Sequence, residues 1–230
     1  MRTINVGLLG CGTVGTGVAK ILIENKDLIF SRVGAVLNLK YIADIDLKTD
    51  RGIPFNDGML IPDAFKVVDD PDIDIIIEMI GGEGIAKDLI LKAIQNGKPV
   101  VTANKALLAL HGNVIFKSAM EHGVDLAFEA SVGGCMPIIK SLRESLAGNH
   151  IKSMAGILNG TCNYILTRME REGLPFDSIL KDAQALGYAE TPPDLDIDGI
   201  DTAHKAVILA SMAYGAPVPM SACPASGIRG

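Results

Sequence analysis

At 230 residues, 48% of them hydrophobic, the chain can bury one α/β core or one and a half smaller ones. A formal charge of −6, with acids and bases spread along the chain, argues against a nucleic-acid partner held by phosphate neutralisation. No uninterrupted apolar stretch is long enough to span a bilayer, so no membrane partner is expected and small molecules are the expected clients.

The first apolar run, INVGLL, reads as a buried strand and leads into GCGTVG and then into VGTGVAKILIEN, whose apolar residues have helical spacing. Gly10, Gly12 and Gly15 therefore stand in G-x-G-x-x-G spacing between a strand and a helix. Such glycines permit a tight turn, let a pyrophosphate approach the backbone and let helix and strand pack closely, with the anion on the helix N-terminus. Gly10, Gly12, Thr13, Val14 and Gly15 are the candidate dinucleotide contacts. The alternative is an ordinary glycine-rich turn.

The second strand, LKYIAD, ends at Asp44. That is further from the glycines than the roughly 20 residues of the dinucleotide fingerprint, because DLIFSRVGAVLN lengthens the connection. A carboxylate there accepts bonds from ribose hydroxyls and repels a 2′-phosphate, which favours NAD over NADP; the alternative is a surface acid. DIIIEMI, PVVTA and DLAFEAS read as further strands, separated by the helical runs AKDLILKAIQNG and NVIFKSAMEHG. Gly97 and Gly123 mark the ends of those helices. Strand and helix taking turns predict a doubly wound parallel sheet over residues 1–131.

Asn104 and Lys105 follow a strand directly, where the carboxyl ends of an open α/β sheet form the ligand crevice; the alternative is a lysine that caps the strand and faces water. Glu129 ends the last strand before the turn VGGCMP. With the carbonyls of Val132, Gly134 and Met136 it forms a hard oxygen set suited to Na⁺, K⁺ or Ca²⁺.

A second region, residues 132–230, is expected to open with a helix in PIIKSLRESLAGN and a strand in IKSMAGILNG. Three helices follow, in TCNYILTRMEREG, PFDSILKDAQALG and IDTAHKAVILASMAYG. Between the last two lies ETPPDLDIDGID, which gathers Glu190, Asp194, Asp196, Asp198 and Asp201 ahead of Lys205. If the last segment is helical, Asp201 and Lys205 share a face four apart, the spacing of an ordinary surface pair worth about 0.2–0.5 kcal/mol. His204 would point elsewhere. Cys11, Cys135, Cys162 and Cys223 have no CxxC spacing and read as reduced thiols. No basic stretch followed by an apolar run opens the chain, so the expected compartment is the cytoplasm.

Taken together and in order, GCGTVG, TANKALL, EASVGG, NGTCNYIL and DLDIDGIDTAHK resemble homoserine dehydrogenase over nearly the whole chain. NGTCNYIL and DIDGIDTAHK are far more specific than the glycine loop. The resemblance implies an N-terminal Rossmann-type NAD(P)-binding domain followed by an α+β substrate and dimerisation domain, which here stops early, and a homodimer. It implies NAD(P)-dependent interconversion of L-homoserine and L-aspartate 4-semialdehyde, towards threonine and methionine. By the same resemblance Lys205 moves the proton and Lys105 lies near cofactor and substrate. Glu190 and Asp201 hold homoserine, with Asp196 ordering the loop beside them. Gly187 approaches the cofactor, and Glu129, Val132, Gly134 and Met136 hold a monovalent cation, Na⁺ or K⁺.

The chemistry is consistent, since oxidising a primary alcohol needs a base for the hydroxyl proton and the reverse needs an acid. It also sets a tension. A lysine acts as a base when its pKa falls, burial lowers it, and neighbouring carboxylates raise it. Carboxylates that turn to the ammonium of homoserine would relieve this.

Three departures stand out. Cys135 replaces a third glycine, Pro192-Pro193 replaces an Asp-Pro pair, and Ile45 stands where many members carry an arginine suited to a 2′-phosphate, which reinforces the NAD expectation. The alternatives are another Rossmann-type oxidoreductase of amino-acid metabolism, disfavoured because no cysteine has a nucleophile context, and a non-catalytic dinucleotide-binding regulatory module.

Overall fold

Runs of Val, Ile and Leu buried on both faces build the sheet of the computed structural model, which describes residues 2–229. The chain separates into two units, Met1–Ser131 and Val132–Gly230.

In the first unit β1 (Thr3–Leu9) is continuously buried from Val6 onward. It is followed by α1 (Thr13–Glu24), which turns Gly15, Ala19 and Leu22 inward at helical spacing. DLIFSRV, expected only to lengthen a connection, forms α2 (Lys26–Val33), closed by Gly34 in the left-handed conformation. Then come β2 (Val36–Ala43), β3 (Leu60–Ile61), α3 (Ala64–Asp69), β4 (Ile75–Glu78), α4 (Gly84–Gln95), β5 (Val100–Thr102), α5 (Lys105–His122) and β6 (Leu126–Ala127). The sheet order is β3-β2-β1-β4-β5-β6 and every pairing is parallel. This is the doubly wound order, and β1 beside β4 is its switch point, where ligands bind outside the carboxyl ends of the strands. Val6, Leu8, Ala19, Leu22, Leu39 and Ile42 pack together beneath the glycine loop.

One expectation here needs correction. The last strand ends at Ala127, and Glu129 opens a 3₁₀ turn, Glu129–Ser131, that Ser131 closes by donating from its amide and its hydroxyl to the Phe128 carbonyl.

The second unit begins with α6 (Ile138–Lys140), capped by Pro137 and continued as a π-type turn, Ser141–Ser145. Helices α7 (Gly160–Glu172), α8 (Phe176–Ala185), α9 (Asp194–Ile197) and α10 (Ile200–Tyr214) follow. Ile165, Ile179, Ala183, Ala189 and Ile197 form a core under α7, α8 and α9, and Ile228 packs against it. The strand expected in IKSMAGILNG is a second correction. Residues 151–159 carry no regular secondary structure, and the described part of this unit contains no strand. A strand exists only through a partner edge, and no other extended segment of the unit pairs with this one.

Candidate active site

The glycine loop has the geometry a dinucleotide pyrophosphate needs. Gly10 has φ +88°, and a Cβ on it would lie 2.7 Å from the Met79 carbonyl. A Cβ on Gly15 would sit 2.0 Å from the Gly10 carbonyl oxygen, so α1 approaches the loop as closely as only glycine permits. Gly12 faces open space and caps α1 without a side-chain bond. The first-turn amides, from Thr13 and the exposed Val14 onward, are thus available to an anion.

Asp44 lies beside this loop, as its position after β2 led us to expect. Its Oδ2 accepts from the Cys11 amide at 2.6 Å and its Oδ1 from the Asp46 amide at 2.8 Å. Arg51, not anticipated from sequence, closes the corner. Nε donates to the Cys11 carbonyl at 2.8 Å, Nη1 to Thr49 at 2.9 Å and Nη2 to Asp46 at 2.6 Å, and Nη2 lies 3.6 Å from Asp44. The Thr49 side-chain hydrogen bond, followed by amide bonds from Lys48 and Thr49, holds the Asp46 carboxyl down at about 2.

Lys105 opens α5 at the carboxyl end of β5, where a buried chain of bonds fixes the turn. Glu78 is fully buried, accepts from Ile80 and Gly81 amides through Oε1, and receives the Thr102 hydroxyl on Oε2 at 2.7 Å. Thr102 Oγ1 accepts from the Asn104 amide, and the Asn104 side chain donates to the Gly82 carbonyl while capping α5 at the Leu107 amide.

In the second unit Glu190, Asp196, Asp201, Lys205 and Gly187 line a single cleft of about 660 Å³, together with Asn159, Gly160, Thr161, Tyr164 and Tyr188. Helix α10 starts after Gly199, and its first turns carry Asp201 and Lys205 on one face. Lys205 Nζ donates to Asp201 Oδ2 at 2.7 Å and to the Leu158 carbonyl at 2.8 Å. The pair is not the solvated surface pair its spacing allows, because the Lys205 and Asp201 side chains are only 19% and 9% exposed. Nor does Asp201 turn away from the lysine. Two of the three ammonium donors are engaged, which leaves the third for a substrate oxygen. His204, on the same helix, is buried. Burial, with Asp196 and Asp201 nearby, pushes the Cys162 thiol up from its ordinary value.

The turn after Ser131 is tight. Met136 donates its amide to the Gly133 carbonyl at 3.0 Å, Cys135 has φ +62°, and the Met136 carbonyl itself accepts from the Ile138 amide. Cys135 therefore adopts the left-handed conformation that a glycine would take without strain. Val132 is buried, and Gly134 and Met136 are exposed.

A model of the homoserine dehydrogenase NAD-binding domain matches residues 10–129, and a homoserine dehydrogenase model matches residues 137–230. The homoserine dehydrogenase of Neisseria gonorrhoeae is 48% identical over 228 residues, covering 99% of this chain. The chain belongs to the homoserine dehydrogenase family. The Bacillus subtilis homoserine dehydrogenase is 42% identical over 99% of the chain. A crystal structure of a homoserine dehydrogenase from Thiobacillus denitrificans superposes with a TM-score of 0.93 at 48% identity, covering 99% of this chain and 53% of that one. A hyperthermophilic archaeal homoserine dehydrogenase in complex with NADPH superposes at 0.82 with 29% identity, over 99% of this chain and 74% of that one. The chain spans about half the length of the curated relatives it matches, 52% of the Neisseria protein and 53% of the Bacillus protein.

No local sequence signal gives a catalytic or binding role to Glu78, Thr102, Arg51, Asn159, Thr161 or Tyr188. The NGT run was noted only as a family signature. Its position before a helical run is a capping signal, and Asn159 indeed caps α7 while Thr161 donates to the Tyr188 carbonyl at 2.6 Å. Arg51 and Glu78 act through contacts with residues remote in sequence, which no local pattern marks.

Proposed function

We propose that the chain carries the dinucleotide site and the substrate cleft of a homoserine dehydrogenase, which interconverts L-homoserine and L-aspartate 4-semialdehyde. The observation that carries this reading is the cleft in which Lys205, bonded to Asp201, shares its walls with Glu190 and Asp196. In the reducing direction Lys205, donating from its ammonium, gives its third N–H to the aldehyde oxygen and then its proton to the alkoxide as the C–H bond forms. In the oxidising direction the neutral amine takes the hydroxyl proton. Glu190 and Asp201 supply charge for the substrate ammonium, and Asp196 orders the loop beside them. The bound nicotinamide dinucleotide supplies or accepts the hydride. Gly10, Gly12, Thr13, Val14 and Gly15 would hold its pyrophosphate, and by the resemblance Gly187 is a further cofactor contact. Lys105 is the second catalytic lysine in this reading. Its support is its place at the carboxyl end of β5, where open α/β sheets bind their ligands.

NAD is favoured over NADP. Asp44 supports this, and so does Arg51, whose three nitrogens are all engaged by the Cys11, Thr49 and Asp46 carbonyls. Ile45, 94% exposed, offers no charge there. The resemblance is the support for Glu129 and the carbonyls of Val132, Gly134 and Met136 as ligands of a monovalent cation, and such oxygen donors suit Na⁺ or K⁺. A homodimer in the cytoplasm completes the proposal. Its support is the resemblance.

The test is spectrophotometric. With L-homoserine, the protein is expected to reduce NAD with a higher kcat/KM than NADP, and more slowly when K⁺ and Na⁺ give way to a bulky organic cation. A folded protein that reduces neither dinucleotide overturns the enzyme reading, and a clear NADP preference overturns the reading of Asp44, Ile45 and Arg51.

A further inference from the structure

We propose that Asn159 is a positioning residue that holds Asp196 and Asp201 together and so aims Lys205, a role that rests on the proton transfer proposed above for Lys205. Every polar atom of its side chain is in use. Oδ1 accepts from the Cys162 amide at 2.8 Å, and Nδ2 donates to Asp196 Oδ1 at 2.8 Å and to Asp201 Oδ2 at 2.9 Å. The orientation of the amide is set by these partners, because an oxygen must face the Cys162 N–H and the NH₂ must face two carboxylates.

The residue is buried, with 6% of its surface exposed. Asp201 Oδ2 thus lies between the Asn159 amide and the Lys205 ammonium. The same stretch of chain reaches Lys205 a second time, through the Leu158 carbonyl. Residues 158 and 159 therefore fix both the lysine and its carboxylate partner.

The residue type matters. A cation here would neutralise the charge that receives a substrate ammonium, and a third carboxylate would repel the other two. A neutral amide with two donors bridges them and leaves their charge in place.

Capping α7 is a separate duty of the same side chain, and Asn159→Asp separates the two. Aspartate caps a helix as well as asparagine does and keeps the size, but it has no N–H to give. Asn159→Asp is expected to lower kcat about ten-fold or more and to raise the KM for homoserine, with the far-UV circular dichroism of the folded protein retained and the melting temperature lowered by the third carboxylate. Wild-type kcat and KM in this variant would overturn the proposal.

A second measurement needs neither substrate nor turnover. In the wild-type protein the Asn159 side-chain NH₂ resonances, assigned through their correlations to the Asn159 backbone, should exchange with solvent far more slowly than those of the exposed Asn25. Equal exchange overturns the proposal even if the variant does not fold. Failure of the enzyme reading would instead appear as a wild-type protein without homoserine-dependent turnover, while the NH₂ protection persists.

Discussion

The first unit closes each of its six strands into a ladder inside itself, whereas residues 151–158 of the second carry no regular secondary structure and join no ladder. Yet it is the second unit that assembles the cleft with the acids and the lysine. Its working parts are helix termini, the Asn159 cap of α7, the short α9 and the first turns of α10, tied together by the bonds of Asn159 to Asp196 and Asp201 and of Lys205 to Leu158. A parallel sheet gives a rigid edge on which to mount a cofactor loop. Helix ends bridged by one buried amide suffice to mount a polar cleft, without a sheet in the described residues.

This contrast can be broken in several ways. The largest expected effect is in amide exchange. The β1 amides should exchange at least about a thousand-fold more slowly than those of residues 151–158, since one set opens with the fold and the other has no backbone bond to break. Comparable protection in the two segments would mean that 151–158 has a ladder partner and that the contrast is false.

Next in size is the glycine loop. Gly15→Ala drives a methyl into the Gly10 carbonyl at 2.0 Å and should cost roughly 1–3 kcal/mol of stability along with dinucleotide binding. Gly12→Ala meets open space, so it should weaken dinucleotide binding while the melting temperature barely moves. Equal thermal shifts in the two variants would contradict the packing described for α1.

The smallest effect is in the second unit's cleft. Burial and the charges of Asp196 and Asp201 raise the Cys162 thiol, so its thiolate forms only above the pH range of an ordinary cysteine. Near pH 8 it should alkylate more slowly than the exposed Cys135, and Asp196→Asn, which removes a negative charge, should speed it several-fold. An unchanged rate would mean that the carboxylate does not act on the thiol.

The legible parts of this molecule are those whose signals are local. Strand-loop-helix spacing marked the glycine loop, and the i,i+4 spacing of Asp201 and Lys205 held because α10 is a helix. Family likeness brought Glu190, Asp196 and Lys205 to one cleft. IKSMAGILNG has the composition of a strand, but pairing is a property of two segments and cannot be read from one. DLIFSRV lacks an apolar stripe, and none of the α2 residues is buried, so its helix left no periodic trace. Glu129 sits just beyond a two-residue strand, a boundary finer than pattern reading resolves. Arg51 meets Cys11 across 40 residues of chain and Thr102 meets Glu78 across 24, and such contacts exist only in the fold.

The central claim is that the second unit's cleft does the proton transfer, and Lys205→Ala tests it most directly. Lys205 is partly exposed and its loss creates no core cavity, so the variant should fold. Its kcat for homoserine oxidation should drop by roughly 10²–10⁴-fold, the usual contribution of a general acid-base group. A folded Lys205→Ala protein with wild-type kcat would contradict the account.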